Sequence, residues 1–218
     1  YGIIWFRVQN VRRVEKAKLL ERELFRKRSA RDFHDEAGNQ ITKISLMTEI
    51  AKRKSNGNLE LNNLVDQIGD EIQTLRSGMR DFIWVLDPDN DNLYETLVRL
   101  KEFANGIFEF SQIHFTTQGI DQSLKSIALD GNQKRHLLLL FKEAINNSLK
   151  YSAAKNAQFS VLKNEKIIEL KFSDDGIGFE KENQKNGQGL KNIKSRAEKI
   201  GVQHIIFSEK NKGSSVSI

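Results

Sequence analysis

The chain has 218 residues, of which 38% are hydrophobic and 29% charged, a composition typical of one or two folded, soluble domains. It contains no cysteine, which excludes disulfides, zinc–thiolate sites and a thiol nucleophile. The net charge is +6, but the first 31 residues alone carry ten Lys or Arg and three Glu, a net of +7. The remaining residues therefore sum to −1, which argues against direct binding of nucleic acid.

The chain begins with an apolar and aromatic stretch, "YGIIWF", that runs directly into Arg7, Arg12 and Arg13. Aromatic residues mark membrane interfaces, and Lys and Arg collect on the cytoplasmic side of spanning helices. We interpret residues 1–8 as the end of a transmembrane helix, the alternative being an ordinary amphipathic helix start. A complete span needs about 20 apolar residues, so residues 1–19 are predicted to hold only that end and a juxtamembrane helical connector.

Two long helices are predicted in the first part of the chain. Residues 10–54 hold no proline and a single glycine, and their apolar residues recur at steps of three and four, as on one face of a helix. After the turn cluster "KSNGN", a second helix repeats this pattern from Leu61 to Leu86. Two helices joined by a short turn form an antiparallel hairpin. Because the apolar seams are too wide for one hairpin to bury, we predict that residues 20–87 pair with a second copy as a dimeric four-helix bundle.

The only proline, Pro88, stands in "LDPDNDN", a stretch of residue types that end helices and form turns. It marks the predicted domain boundary, and residues 92–218 mix helical and strand patterns. "NLYETLVRLKEFANGIFEF" and "NQKRHLLLLFKEAINNSLKYS" are helical in pattern, whereas "IHFTT", "AQFSVLK" and "KIIELKFS" indicate strands, the last two of them paired. This order predicts an α+β sandwich of one sheet and one helical layer.

One histidine has two carboxylates directly beside it. In "RDFHDEAGNQ", His34 is followed by Asp35 and Glu36, at the flank of the predicted apolar stripe and within reach of a second domain. A neutral imidazole is a good nucleophile near pH 7, and a neighbouring carboxylate fixes its tautomer. The other three histidines lack such neighbours in the sequence and are interpreted as structural.

Two further clusters have the residue types of a nucleotide site. Glu143 and Asn147 are four residues apart and share one helix face. Their oxygens suit Mg²⁺, although a polar edge on a half-buried helix is the better explanation when the pair is taken alone. Glycines that allow close approach of the backbone to a ligand lie near one another: Gly176, Gly178, Gly187 and Gly189. The second pair opens a helix near Leu190, where free N–H groups can bind phosphate. The motif is neither a P-loop nor a Rossmann fingerprint.

Together and in this order, these motifs resemble the cytoplasmic part of a sensor histidine kinase of two-component systems. The subgroup is the one whose phosphoacceptor box reads "HD" and whose bundle ends in "DFIWVLDP". The resemblance runs from about Leu20 to Ile218: "FHDEAGNQ" is similar to the phosphoacceptor box, "FKEAINNSLKYSAA" to the N box, "DDGIGF" to the first glycine box and "GQGLKNIKSRAEKIG" to the second. It implies a dimerisation and phosphoacceptor domain followed by an α+β Bergerat-type ATP-binding domain of the GHKL class.

The resemblance also implies a role for each matched residue. His34 would accept the γ-phosphoryl group of ATP, and Asp35 would orient the ring and take its proton. Glu143 would line the reaction centre, and Asn147, with Glu143 beside it, would hold Mg²⁺. Asp174 would accept a hydrogen bond from the amino group of adenine.

The glycines of the resembling boxes would shape the surroundings of the nucleotide. Gly176 and Gly178 would let the chain pass under the base. Gly187 and Gly189 would form a mobile lid over the phosphates, at the start of the helix that Leu190 opens.

Three positions in or near these boxes are Asn39, Lys150 and Tyr151. Asn39 stands where related kinases usually have a Gln that is thought to position water for phosphatase activity, which predicts strong kinase and weak phosphatase activity. Tyr151 stands where a His is frequent. Lys150 either contacts phosphate or is an ordinary solvated lysine.

The function that the resemblance implies is ATP-dependent autophosphorylation of His34 and transfer of the phosphoryl group to an aspartate of a response regulator, with ATP and Mg²⁺ as cofactors. The implied partners are a second copy, the receiver domain of that regulator and, through an N-terminal transmembrane segment, the bacterial inner membrane, with this portion on the cytoplasmic side. A non-kinase GHKL ATPase is an alternative, but it would not need "FHDE" on a bundle helix. A catalytically silent dimerisation module is another, against which the presence of Glu143, Asn147 and Asp174 argues.

Overall fold

The computed structural model describes residues 2–55, 58–179 and 188–218. The chain forms two compact units that divide between Asn90 and Asp91. The first unit is entirely helical, and the second combines helices with one sheet. Among the described helices, none is both long enough and apolar enough to span a membrane.

The first unit is the predicted helical hairpin. Helix α1 runs over Gly2–Lys54, longer at its start than the periodicity indicates, and α2 runs over Leu59–Leu86. The side chain of Asn58 accepts a hydrogen bond from the backbone N–H of Leu61 at 3.1 Å and caps α2, as Asn commonly does at this position. The first unit then ends with a short 3₁₀ turn over Pro88–Asn90. Proline is expected to end a helix at such a position.

The two helices of the hairpin share only a narrow core. A few aliphatic side chains are buried between them, among them Ile41, Val65 and Ile72, and the rings of Phe33 and Phe82 meet edge to face at 5.7 Å. Most of the predicted apolar seam nevertheless remains at the surface of this single copy. We call these exposed residues the hairpin stripe: Phe33, Ile44, Met47, Leu61, Leu64, Ile68, Leu75 and Phe82.

In its described residues, the second unit contains three α-helices, a short 3₁₀ helix over Gln122–Ser126 and a five-stranded sheet. The helices are α3, α4 and α5, over Leu93–Phe108, Gly131–Tyr151 and Gln188–Lys199. The strands β1 to β5 cover His114–Gln118, Asn156–Lys163, Ile168–Asp174, Ile205–Glu209 and Gly213–Ser217. Their order in the sheet is β1-β2-β3-β5-β4, with β1 parallel to β2 and the other neighbours antiparallel. The predicted strands and helices are confirmed.

The core of this unit lies between one face of the sheet and the helices. Alternate residues of β2 are buried, as expected where one face of a strand is covered: Ala157, Phe159 and Val161. The ring of Phe159 meets that of Phe141 on α4 edge to face at 4.8 Å. The predicted α+β sandwich of a sheet and a helical layer is therefore confirmed.

Candidate functional site

The histidine next to two carboxylates lies in the open on α1. The side chains of His34 and Asp35 are 73% and 71% exposed, and Nδ1 of the ring is 3.3 Å from a carboxylate oxygen of Asp35. When Nδ1–H donates to this carboxylate, the lone pair of the imidazole is on Nε2. The arrangement therefore leaves a nucleophilic nitrogen exposed to a partner. Asn39, on the same helix, is also exposed.

A cavity of about 630 Å³ opens in the second unit, within the size range of small-molecule sites. The sheet supplies an apolar floor through Phe172, Ile206 and Val216, and α4 and α5 supply walls. Several residues predicted from the sequence line it: Glu143, Asn147, Asp174, Gly178, Gly189 and Leu190. The fold thus brings together side chains that are up to 47 positions apart in the sequence.

Asp174 ends β3 and lines this cavity while only 9% exposed. One carboxylate oxygen accepts a hydrogen bond from the N–H of Gly176 at 3.0 Å, and the other accepts from the hydroxyl of Ser214 at 2.7 Å. These two bonds fix the orientation of the carboxylate, and each oxygen keeps further acceptor capacity for a ligand amino group. Ser214 was missed in the sequence, because only the pairing of Asp174 with Ser214 across β3 and β5 places it there.

Asp175, the next residue, points to the protein backbone instead. One of its oxygens accepts from the N–H groups of Lys155 and Asn156, both at 2.8 Å, and the other accepts from the side-chain amide of Asn156. The hydrogen bonds from Asn156, with that from Lys155, hold the pKa of Asp175 below its ordinary value. Of the two adjacent aspartates, one therefore faces the cavity and the other ties the end of β3 to the start of β2.

Gly176 and Gly178 lie in a loop that packs closely against the backbone of Ser152 and Glu209. A Cβ on Gly176 would overlap the carbonyl oxygen of Ser152, and the N–H of Ile177 donates to that same oxygen at 2.7 Å. Gly178 has φ +61, a conformation that glycine adopts without strain. The loop backbone can therefore pass closer to neighbouring backbone than any other residue type would allow.

The start of α5 lies against the polar face of α4. A Cβ on Gly189 would be 2.5 Å from Oε1 of Glu143 and 3.2 Å from Nδ2 of Asn147. The two side chains thus converge beside the first turn of α5. A carboxylate and an amide oxygen are hard ligands of the kind Mg²⁺ takes, and Mg²⁺ completes its shell with water and substrate phosphates. The donor set therefore fits the ion, although the described residues contain no group of three or more His, Asp or Glu that could hold a metal alone.

Two of the described site residues predicted from the sequence are not at the surface of the cavity. Lys150 is exposed near the end of α4, and Gly176 is buried behind the loop; neither is among the described lining residues. Gly187 lies outside the described residues. Tyr151, in contrast, does line the cavity, which the sequence did not indicate.

Comparison with known proteins gives the same two parts. A family model described as histidine kinase matches residues 26–91, and one described as histidine kinase-, DNA gyrase B- and HSP90-like ATPase matches residues 132–218. The chain belongs to the sensor histidine kinases. Among curated relatives, the sensor histidine kinase LiaS of Bacillus subtilis is 27% identical over 200 residues, covering 88% of this chain and 53% of the relative. The sensor protein VraS of Staphylococcus saprophyticus is 24% identical over 213 residues, covering 96% and 58%.

Solved structures agree with the fold of this chain. The histidine kinase domain of the Erythrobacter litoralis EL346 blue-light activated histidine kinase has a TM-score of 0.51 at 13% identity, covering 82% of this chain and 92% of that one. The Acinetobacter baumannii histidine kinase AdeS has a TM-score of 0.50 at 13% identity, covering 85% and 96%. The predicted family and fold are thus confirmed. The chain spans about half the length of the curated relatives it matches.

Proposed function

We propose that this chain phosphorylates its own His34 with ATP and passes the phosphoryl group to an aspartate of a response regulator. The observation that carries the proposal is the exposed His34–Asp35 pair on α1, in a chain whose second unit holds a nucleotide-sized cavity. A histidine kinase needs both, an acceptor nitrogen that is open to solvent and a site for ATP. Membership of the family supports the same activity.

Asp174 would bind the adenine of ATP. Its carboxylate is held by Gly176 and Ser214 and faces an apolar cavity, so it can accept a hydrogen bond from the amino group at C6 without first having to be ordered. Phe172 and Val216 beside it supply apolar contact for the base. Guanine carries a carbonyl oxygen at that position. That oxygen and the carboxylate of Asp174 are both hydrogen-bond acceptors, so the contact would be unfavourable.

Glu143 and Asn147 would serve the phosphate end of the nucleotide. They converge at the first turn of α5, where backbone N–H groups without helical partners favour negative charge. Both residues would hold Mg²⁺, which when bound offsets charge on the phosphate oxygens. Lys150 and the glycine-rich segment before α5 would add further phosphate contacts, as the resemblance implies.

His34 would act as the nucleophile through Nε2. Its lone pair forms the bond to the γ-phosphorus, the bond from that phosphorus to the bridging oxygen breaks, and ADP leaves with the electron pair. Asp35, 3.3 Å from Nδ1, stabilises the positive charge that develops on the ring and takes up the Nδ1 proton. Transfer then moves the phosphoryl group from Nε2 to a carboxylate oxygen of the regulator, and the proton on Asp35 returns to Nδ1, which restores the neutral imidazole.

The hairpin stripe would bury itself against a second copy. The side chains of the hairpin stripe are exposed along both helices of one copy, and two such hairpins can form a four-helix bundle with a shared core. A light-scattering mass of one 25.1 kDa chain at micromolar concentration would contradict this. The attachment of the N-terminal end to a membrane remains part of the proposal, supported by the relatives' description as sensors and by the basic residues that follow "YGIIWF".

Incubation with γ-labelled ATP and Mg²⁺ tests the proposed function. We expect label that is lost in acid and stable in base, as a phosphorus–nitrogen bond requires. His34→Gln should abolish labelling and still bind nucleotide, whereas His114→Gln, at the start of β1, should label like the parent. Acid-stable label, or undiminished labelling of His34→Gln, would refute the proposal.

A further inference from the structure

We propose that a second, basic cleft on the ATPase unit, between α4 and α5, binds a phosphate-class oxyanion. This α4–α5 cleft has a volume of about 530 Å³. Its polar lining includes Asn132, Arg135 and His136 from α4, and Ser195, Arg196 and Lys199 from α5. The described lining residues of this cleft and of the nucleotide cavity do not overlap.

The cleft concentrates positive charge on both of its walls. Burial first, and then the charges of Lys199, Arg135 and Arg196, hold the pKa of His136 below its ordinary value. All three cations are therefore close enough to the ring to repel a proton on it. The neighbouring acid on α5, Glu198, lies 4.0 Å from Lys194 instead. Within the described part of the chain, no ion pair joins Arg135, Arg196 or Lys199 to a carboxylate.

Cations that line one concave site repel one another, and a bound anion lowers this repulsion. Coulomb repulsion between neighbouring like charges falls when an opposite charge enters between them. Arg196 is already ordered, because its Nη1 donates to the carbonyl oxygen of Leu139 at 3.3 Å. One of the cations that would meet the ligand is thus held in place before the ligand arrives.

His136 has an unused hydrogen-bonding atom at this cleft. Its Nδ1 is buried and lacks a hydrogen-bond partner, which is uncommon for a buried polar atom. Among the described residues no hydrogen bond to Nδ1 holds the ring in one orientation, so the ring can turn about its last torsion when a ligand binds. Local sequence does not indicate this site, since two of the three cations around His136, Arg196 and Lys199, come from α5.

A phosphate-class ligand fits this set of donors better than a carboxylate. The guanidinium groups bind tetrahedral oxyanions through paired N–H bonds, and the ammonium of Lys199 and the polar groups of Asn132 and Ser195 lie on the same cleft. A ligand with several oxygens on one central atom can accept hydrogen bonds from donors on both helices at once. Free phosphate in solution and the phosphate of a lipid headgroup share this chemistry.

Binding of inorganic phosphate to the whole chain tests the site. The nucleotide cavity is first saturated with Mg²⁺ and a non-hydrolysable ATP analogue, and the histidine NMR signals are followed against sodium chloride of equal ionic strength. We expect a saturable shift of the His136 signal. Arg135→Ala and Lys199→Ala should each weaken phosphate binding by about 10-fold or more, as loss of a charge-assisted hydrogen bond does.

Lys194→Ala is the matched control, because it removes the same charge from an exposed position on the same helix outside the cleft. It should leave phosphate affinity within about twofold of the parent. A shift that does not saturate, or equal affinity in Arg135→Ala, Lys199→Ala and the parent, would overturn the proposal. Unchanged binding of the ATP analogue shows in each case that the variant is folded.

Vesicles distinguish the two sources of the phosphate group. Phosphatidylglycerol vesicles are compared with phosphatidylcholine vesicles, using the parent and the double variant Arg135→Ala/Lys199→Ala. A loss of phosphatidylglycerol binding in the double variant identifies a headgroup as the ligand. Equal vesicle binding, through the basic N-terminal helix that both proteins retain, identifies a free phosphate.

Discussion

The ammonium of Lys134, on the second turn of α4, is completely buried and lies 2.7 Å from the carboxylate of Asp91, the first residue of the second unit. The same segment is held by backbone bonds: the N–H of Leu129 donates to the carbonyl of Asp91, and the N–H of Leu93 donates to that of Ile127. These bonds attach the first residues of the second unit to the start of α4, the helix that carries Glu143 and Asn147.

Removing the carboxylate of this pair should destabilise the second unit strongly. Asp91→Ala leaves a buried ammonium without its nearest anion, and because Asp91 is still 28% exposed, we expect a loss of about 2 kcal/mol rather than the 3–5 kcal/mol of a fully buried pair. Lys125→Ala breaks a longer, more exposed pair with Glu95 and should cost less than about 1 kcal/mol. Urea unfolding followed by circular dichroism measures both, and equal losses would contradict the argument.

Gly189→Ala should reduce autophosphorylation without unfolding the protein. The added methyl would lie 2.5 Å from Oε1 of Glu143, and the end of that flexible side chain can move away. Misplacing a reacting or positioning group by about 1 Å can cost about 100-fold in rate, so we expect a loss of at least about 10-fold. Gly106→Ala on α3, where a methyl meets open space, is the control and should retain full activity. Full activity in Gly189→Ala would show that Glu143 is not needed there.

Asp174→Asn should weaken ATP binding by about 10-fold or more, because a charge-assisted hydrogen bond contributes about 1.5–3 kcal/mol. Ser214→Ala removes only the hydroxyl that orients the carboxylate and should cost about fivefold. Calorimetry with ATP and Mg²⁺ measures both affinities. Unchanged affinity in Asp174→Asn would refute its contact with adenine.

Asp175 should contribute stability that disappears in acid. Its pKa is lowered in the folded state by hydrogen bonds from Asn156 and Lys155, so its contribution is complete above the ordinary carboxylate pKa of about 3.9 and is lost as pH falls through the lower folded value. Because Asp175 is exposed and solvent screens its interactions, Asp175→Asn should destabilise the protein by less than about 1 kcal/mol at pH 7 and by still less as the pH falls below about 4. A destabilisation that is equal at pH 7 and pH 3 would contradict this.

Asn39→Gln should raise phosphatase activity and leave autophosphorylation nearly unchanged. Asn39 is exposed on α1, about 140° around the helix from His34, where its amide can face a bound regulator. Its side chain is one methylene shorter than Gln, and a positioning error of about 1 Å can cost about 100-fold. The measurement is the decay of phosphorylated regulator after ATP is removed. Rapid decay with the parent, unaltered in Asn39→Gln and Asn39→Ala, would show that this residue does not limit the reaction.

Local pattern was sufficient to predict the elements. The periodicity of apolar residues predicted the hairpin, α4 and the paired strands β2 and β3, because a helix repeats every 3.6 residues and a strand every two. It did not show where α1 begins, since the charged stretch before His34 has few apolar positions to mark a face.

The sequence by itself determined which chemistry this protein carries: a histidine beside carboxylates, an oxygen pair on one helix face and glycines that allow close backbone approach. Tertiary structure alone decided how neighbouring side chains divide their roles. Asp174 and Asp175 are adjacent and chemically identical, yet successive side chains at the end of a strand point in opposite directions, so one reaches the cavity and Ser214 while the other reaches the backbone of Asn156. Burial of Lys134 and the charge around His136 likewise depend on groups that only folding brings near them.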